Sequence, residues 1–267
     1  MNNIRVLQRV KSKNLFNFNQ KGKLDSDVAA VGDAFKKFLQ AQNSISQENE
    51  IRPEEQAEKL RDWYNRFFPK LAAHPVYVKA LEDCDHSEIR VPVRDGNDAE
   101  VKVLVHTPKH ISDKKDNVGM LYAHGGGAIA GTAELYKPML AALATQANIV
   151  IFNVDYRLAP ETKCPKNILD FYCALKHVNE NAENLGINAD KIGISGESGG
   201  GYICFGTMVK LAMENESHLV KAAFPIIPMI SDYVFSDPSA MTQEERDSVG
   251  GLRSNWKALA QVRCRII

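Results

Sequence analysis

A chain of 267 residues with 44% hydrophobic and 25% charged residues can bury one substantial core. Its 33 basic residues balance 33 acidic ones, so no net field draws it to nucleic acid or to an anionic membrane surface. No apolar run approaches the roughly 18 residues of a membrane span, and the N-terminus lacks the apolar segment of a secretory signal.

Residues 1–24 carry Arg5, Arg9, Lys11, Lys13, Lys21 and Lys23 with no acidic residue before Asp25. A disordered basic tail is expected there. A mitochondrial presequence would share the charge but is richer in Ser and poorer in Asn. Five cysteines, Cys84, Cys164, Cys173, Cys204 and Cys264, stand singly. An odd count without a C-x-x-C pair suits a reducing compartment, so a cytoplasmic location is expected.

From Asp27, the apolar residues Val28, Val31, Phe35 and Phe38 follow helical spacing behind Ser26 or Asp27 as N-cap. A second helix begins at Pro53, with Glu54 and Glu55 in its first turn. It carries Leu60, Trp63, Tyr64, Phe67 and Phe68 and is expected to end at Pro69. Residues 25–84 thus read as an N-terminal helical region. The cluster Glu82, Asp83, Asp85, His86 and Glu88 has a metal site's composition without a fixed ligand spacing, and reads as a solvated loop with no metal.

Residues 89–93 and 101–105 alternate as two antiparallel strands about a polar turn at 94–98. A βα rhythm follows: strand 118–123, helix 134–147, strand 149–154, helix 168–181, strand 191–195, helix 199–214 and strand 222–230. Strands alternating with helices of this length imply an α/β fold over residues 85–267, its mostly parallel sheet covered by helices on both faces.

Three strings carry chemistry. Gly196-Glu197-Ser198-Gly199-Gly200 fits G-x-S-x-G between an apolar strand and a helical pattern, the setting of a nucleophile elbow with Ser198 as the nucleophile. The helix that follows aims its first N–H groups and positive dipole end at Ser198. A phosphate-binding turn is the alternative, but no Lys follows the glycines and the spacing is not G-x-G-x-x-G. His124-Gly125-Gly126-Gly127 closes another strand, and consecutive glycines can turn their N–H groups into one cavity. Asp155-Tyr156-Arg157-Leu158-Ala159-Pro160-Glu161 follows a third strand. Asp155, Arg157 and Glu161 suit ion pairs that fix a loop beside the site better than they suit catalysis.

On these strings the chain resembles the hormone-sensitive-lipase-like carboxylesterases, α/β-hydrolases that include bacterial esterases and arylacetamide deacetylase. Their HGGG and DYRLAPE strings are matched in full; their GDSAGG is matched with Glu197 for Asp and Gly199 for Ala. The resemblance covers roughly residues 55–230. It implies that Ser198 is acylated by a small hydrophobic ester of short or medium chain, with no cofactor. It also implies that the Gly126, Gly127 and Gly199 amides form the oxyanion hole, and that Trp63, Tyr64, Phe67 and Phe68 belong to a cap over the acyl pocket. His177 falls on a helix where the family often has Trp, and reads as a packing or surface residue.

A serine hydroxyl needs a base and the base an orienting group; in this fold an acid and then a histidine follow the nucleophile. The one histidine after Ser198 is His218, and it precedes Asp232, Asp237 and Asp247. It falls at the far end of the helix that starts at the elbow, so it is expected on the surface. Beyond residue 230 the chain shows an acidic loop at 236–248 and a helix-like 252–262 with Trp256, where the family continues with further βα units. The expectations are a truncated sheet lacking its C-terminal strands, an edge at 222–230 open to self-association, and weak or absent ester hydrolysis. Two alternatives stand. One is a non-catalytic protein that binds a small hydrophobic ligand, a course plant gibberellin receptors have taken in this family. The other is a fragment without a function of its own.

Overall fold

The computed structural model describes residues 53–96, 98–111 and 116–228, all within one compact unit, Gln42–Ile267. The expected basic tail, the helix from Asp27, the acidic loop at 236–248 and the helix-like 252–262 lie outside these residues.

Helix α1 (Pro53–Ala72) opens on a proline whose missing N–H would have had no intrahelical partner, with Glu54 and Glu55 at the positive end of the dipole. It runs through Pro69 instead of ending there. The proline removes only the donor to the Asn65 carbonyl, and both residues are exposed, so solvent can take its place. A further helix, α2 (Pro75–Glu82), was not anticipated; His74 caps it, its Nδ1 accepting from the Val76 N–H at 3.3 Å.

Strands β1 (Cys84–Val93) and β2 (Ala99–Pro108) pair antiparallel from Cys84 opposite Pro108 to Val93 opposite Ala99, as the alternation predicts. The acidic cluster at 82–88 is therefore not a loop. It spans the end of α2 and the start of β1, where strand pairing satisfies the backbone and alternation exposes Asp85 while Cys84 is buried. Among the described residues, no group of three or more His, Cys, Asp or Glu is arranged to hold a metal ion.

The βα rhythm appears as β3 (Gly119–Ala123), α3 (Ala133–Ala147), β4 (Val150–Asp155), α4 (Lys166–Glu180), β5 (Ile192–Glu197), α5 (Gly199–Met213) and β6 (Ala222–Ile226). The sheet order is β1-β2-β4-β3-β5-β6; β4, β3, β5 and β6 run parallel, and β1 and β2 are antiparallel to their neighbours. One face packs Val103, Val105, Leu121, Phe152, Val154 and Ile194 against Phe171, Leu175, Ile203 and Leu211 of α4 and α5. The other packs Cys84, Tyr122 and Ile151 against Tyr136, Leu140 and Ala141 of α3, with Phe68 of α1 and Ala80 of α2. Phe68 of α1 joins this second core, its ring 4.8 Å from Tyr136, with Tyr64 and Phe67 packed against it and Trp63 stacked on Phe67 at 4.6 Å. No helix among the described residues is long and apolar enough to cross a membrane.

Candidate active site

Strands β4, β3 and β5 are adjacent and parallel, so their carboxyl ends deliver the three motif loops to one edge of the sheet. Ser198 stands between β5 and α5 with φ 52° and ψ −113°, a conformation costly for any residue but glycine. It is pinned on both sides: its N–H donates to the Ile226 carbonyl at 2.9 Å, and its carbonyl accepts from the Tyr202 N–H at 3.0 Å.

The 124–128 loop closes onto this corner. A Cβ on Gly199 would lie 2.6 Å from the Ala128 nitrogen and 2.8 Å from that of Gly127, so only glycine admits the loop. Gly127 and Gly199 are thus brought together beside Ser198, and Ala128, which the sequence reading passed over, joins them with φ 63°. Gly126 shapes the turn, its carbonyl accepting from the Ile129 and Ala130 N–H groups at 3.1 and 3.0 Å. The first amides of α5 have no intrahelical acceptor, and they carry the positive end of its dipole. The arrangement suits an anion developing on an oxygen bonded to Ser198.

His124 lies beneath the loop, fully buried and stacked 4.3 Å from the Tyr156 ring. Its Nδ1 sits 2.9 Å from the Gly125 carbonyl, which assigns the proton to Nδ1, and burial holds the ring neutral by lowering its pKa. The Tyr156 hydroxyl donates to the His124 carbonyl at 2.7 Å. Locked in this way, His124 supports the loop and is turned away from proton transfer.

Glu197, next to Ser198, accepts from the Tyr122 hydroxyl at 2.9 Å and the Tyr136 hydroxyl at 2.5 Å. The Gly125 Cα packs against this cluster, since a Cβ there would lie 2.9 Å from Glu197 Oε1. Burial, reinforced by the Glu197 charge, raises both tyrosine pKa values and keeps the phenols protonated as donors. Neither tyrosine was singled out from the sequence; each was legible only as an apolar core position.

Asp155 accepts from the Ala133 N–H at 2.7 Å, capping α3, and pairs with Lys102 at 3.2 Å. Arg157 donates to Asp170 through Nε and through Nη2 at 2.6 Å, and to Asp95 in the β1–β2 turn at 2.8 Å. These bonds hold its guanidinium charged, with the Asp170 hydrogen bonds the largest cause. Glu161 is gripped by Arg61 of α1 through two 2.7 Å hydrogen bonds, which lower its pKa to about 2. Arg61 was missed because its partner lies 100 residues away and no local spacing marks it. His218 is exposed, but on a separate turn, Ser217–Leu219, because α5 already ends at Met213.

A profile of the family described as alpha/beta hydrolase fold matches residues 120–261, over half of the chain. The chain belongs to the α/β-hydrolase fold family. This α/β-hydrolase is 37% identical over 115 residues to the carboxylesterase NlhH of Mycobacterium tuberculosis, a match covering 43% of this chain and 35% of that protein. It is 29% identical over 158 residues to the arylacetamide deacetylase of Bos taurus, covering 57% of this chain and 39% of that one. Among solved structures, a bacterial heroin esterase superposes with a TM-score of 0.62 at 27% identity, covering 83% of this chain and 66% of that one. The hyperthermophilic esterase of the archaeon Pyrobaculum calidifontis superposes at 0.64 with 24% identity, covering 85% and 68%, a likeness of fold alone. Carboxylesterases and arylacetamide deacetylases are thus the relatives of this α/β-hydrolase, the group its three strings resemble. The chain spans less than half the length of these two curated relatives.

Proposed function

We propose that this α/β-hydrolase is a serine carboxylesterase by descent, with Ser198 the nucleophile toward short- to medium-chain carboxylic esters. The observation that carries the reading is the strained Ser198 corner with the Gly127 and Ala128 nitrogens packed on Gly199. Ser198 Oγ attacks the ester carbonyl, and the Gly126, Gly127 and Gly199 amides, with Ala128 beside them, hold the oxyanion. The alcohol leaves and water releases the acyl group.

We further propose that these 267 residues alone perform this step slowly. All seven histidines of the chain are among the described residues, and none hydrogen-bonds Ser198. His86 and His106 bond each other, His124 is locked to Gly125, His74 caps α2, and His218 stands at the far end of α5. That helix of 15 residues runs roughly 20 Å from Ser198, and His218 follows on the turn beyond its C-terminal end. Oxyanion stabilisation without a triad leaves about 10³–10⁴-fold catalysis over water.

Hydrolysis of p-nitrophenyl acetate and butyrate, beside fluorophosphonate labelling, tests both statements. Weak hydrolysis with labelling at Ser198, lost in Ser198→Ala, is expected. Rapid hydrolysis lost in Ser198→Ala would overturn the second statement; no labelling, with tight binding of a small hydrophobic ligand, would favour the non-catalytic alternative. The β6 edge supports self-association as a second proposal. Among the described residues β6 pairs with β5 alone, and Phe224, Ile226 and Ile227 are 60%, 48% and 80% exposed. A monomer in sedimentation velocity at micromolar concentration would count against it.

A further inference from the structure

Arg61 makes four hydrogen bonds to two different loops. Its Nε donates to the Ile129 carbonyl at 2.8 Å, its Nη2 to the Ala159 carbonyl at 2.9 Å, and its Nη1 and Nη2 grip the two Glu161 oxygens. The two loops are also bonded to each other, the Ala159 N–H donating to the Ala128 carbonyl at 2.9 Å. A closed set of contacts therefore links α1, the loop carrying Gly127 and Ala128, and the loop at 157–161.

The loop so held is strained. Gly126, Gly127 and Ala128 have φ of 117°, 65° and 63° in succession, and a non-glycine residue in the left-handed region persists only where its surroundings over-determine it. The Ala128 carbonyl is held from the 157–161 loop and the neighbouring Ile129 carbonyl from α1. The first restrains the peptide that follows the Ala128 nitrogen facing Gly199, and the second restrains the next peptide along.

We infer that Arg61 is a positioning residue: through Ile129, Ala159 and Glu161 it holds the Gly127 and Ala128 amides in register with Ser198, so that α1 sets the reactivity of the serine. This rests on Ser198 being the nucleophile. The guanidinium is suited to the task because its donors form a fixed fork that meets carbonyls and a carboxylate in different directions at once. Lysine keeps the charge and a single donor point, and so loses the geometry. Glu161 clamps the guanidinium from the solvent side, its side chain 61% exposed against 29% for Arg61.

The test uses the full chain with Arg61→Lys, Arg61→Ala and Glu161→Gln, and Arg66→Lys as a control on the exposed face of the same helix. Three quantities are read: the inactivation constant and the apparent affinity of a fluorophosphonate at Ser198, deuterium uptake over residues 125–131, and thermal midpoint. The expected result for Arg61→Lys is an inactivation constant reduced about ten- to a hundred-fold at little changed probe affinity. Uptake over 125–131 rises while that of β3 and β5 does not, with a smaller effect in Glu161→Gln and none in Arg66→Lys. An unchanged inactivation constant and unchanged uptake in both Arg61→Lys and Glu161→Gln, with only the thermal midpoint lowered, overturns the inference. If the parent chain does not label at Ser198, the nucleophile reading fails, and uptake over 125–131 alone decides the clamp: raised in Arg61→Lys, it holds; unchanged, it falls.

Discussion

The two faces of the sheet are built from different chemistry, although they are the alternate residues of the same strands. Beneath α4 and α5 the strands present hydrocarbon: Val101, Val103 and Val105 from β2, Leu121 from β3, Val150, Phe152 and Val154 from β4. Beneath α1, α2 and α3 the intervening positions are Lys102, His106, Tyr122, Asn153 and Asp155, mixed with Leu104 and Ile151. Among the described residues, four buried side-chain polar atoms lack a partner, and three of them, His106 Nε2, His124 Nε2 and Asn153 Oδ1, lie on or at the end of this polar face. Buried polar groups cost stability unless satisfied, whereas hydrocarbon packing does not carry that penalty. The dry face therefore packs without that penalty, and the polar face carries it beside the loops of the candidate site.

The comparison breaks most visibly at Phe152, fully buried on the dry face. Phe152→Ala is expected to cost about 3–5 kcal/mol, read as a lower urea midpoint. Next comes Arg157, which ties the dry-face helix α4 to the β1–β2 turn through Asp170 and Asp95, whose side chains are 0% and 3% exposed. Arg157→Ala removes the guanidinium from two buried carboxylates, leaving Asp170 the backbone N–H of residue 157 and Asp95 the Lys166 amine at 3.8 Å, and is expected to cost about 3 kcal/mol by the same measurement.

Acid separates the faces. Burial first, then the His86 and Lys137 charges, lowers the His106 pKa from 6.5 to about 3. Its ring meets His86 Nδ1 to Nδ1 at 3.0 Å; burial lowers the His86 pKa too, with Lys137 against it and Asp85 and Glu134 in its favour. Below pH 6.5 the unfolded chain binds more protons than the folded one, so stability is complete above that value and is lost as pH falls toward about 3. The slope is at most about 1.4 kcal/mol per pH unit for one such group. His106→Leu is expected to flatten the pH dependence of the urea midpoint between pH 6.5 and 4, and Phe152→Leu to leave it unchanged. The smallest effect falls at Ser198. Ser198→Gly relieves the positive φ and is expected to raise stability by up to about 1 kcal/mol while abolishing fluorophosphonate labelling.

Much of this was legible in the chain. The alternation at 89–93 and 101–105 predicts β1 and β2, and the βα rhythm predicts the remaining strands and their helices, because both depend on the period of neighbouring side chains. The elbow was legible for a similar reason: a strand, a strained turn and a helix N-terminus are local geometry that Gly196, Ser198 and Gly199 announce together. Helix α2 was passed over despite Pro75 at its first position and Tyr77, Ala80 and Leu81 at helical spacing. Pro69 misled as a helix end because sequence does not reveal that the carbonyl it frees faces solvent. The pairing of His86 with His106 was hidden inside what read as a solvated acidic cluster; it required the register that sets the two strands opposite each other.

What the sequence determined alone was the backbone: which segments are strands, where the chain turns into α5 with Ser198 at the corner, and where glycine is demanded. The tertiary structure decided which charges meet. Arg61 finds Glu161 across 100 residues, Arg157 finds Asp95 across 62, and Glu197 finds Tyr136 across 61. Local conformation is set by steric forces within a few residues, and those leave a signature in spacing. An ion pair or hydrogen bond depends only on where two side chains arrive in space, and that position exists only once the sheet has assembled.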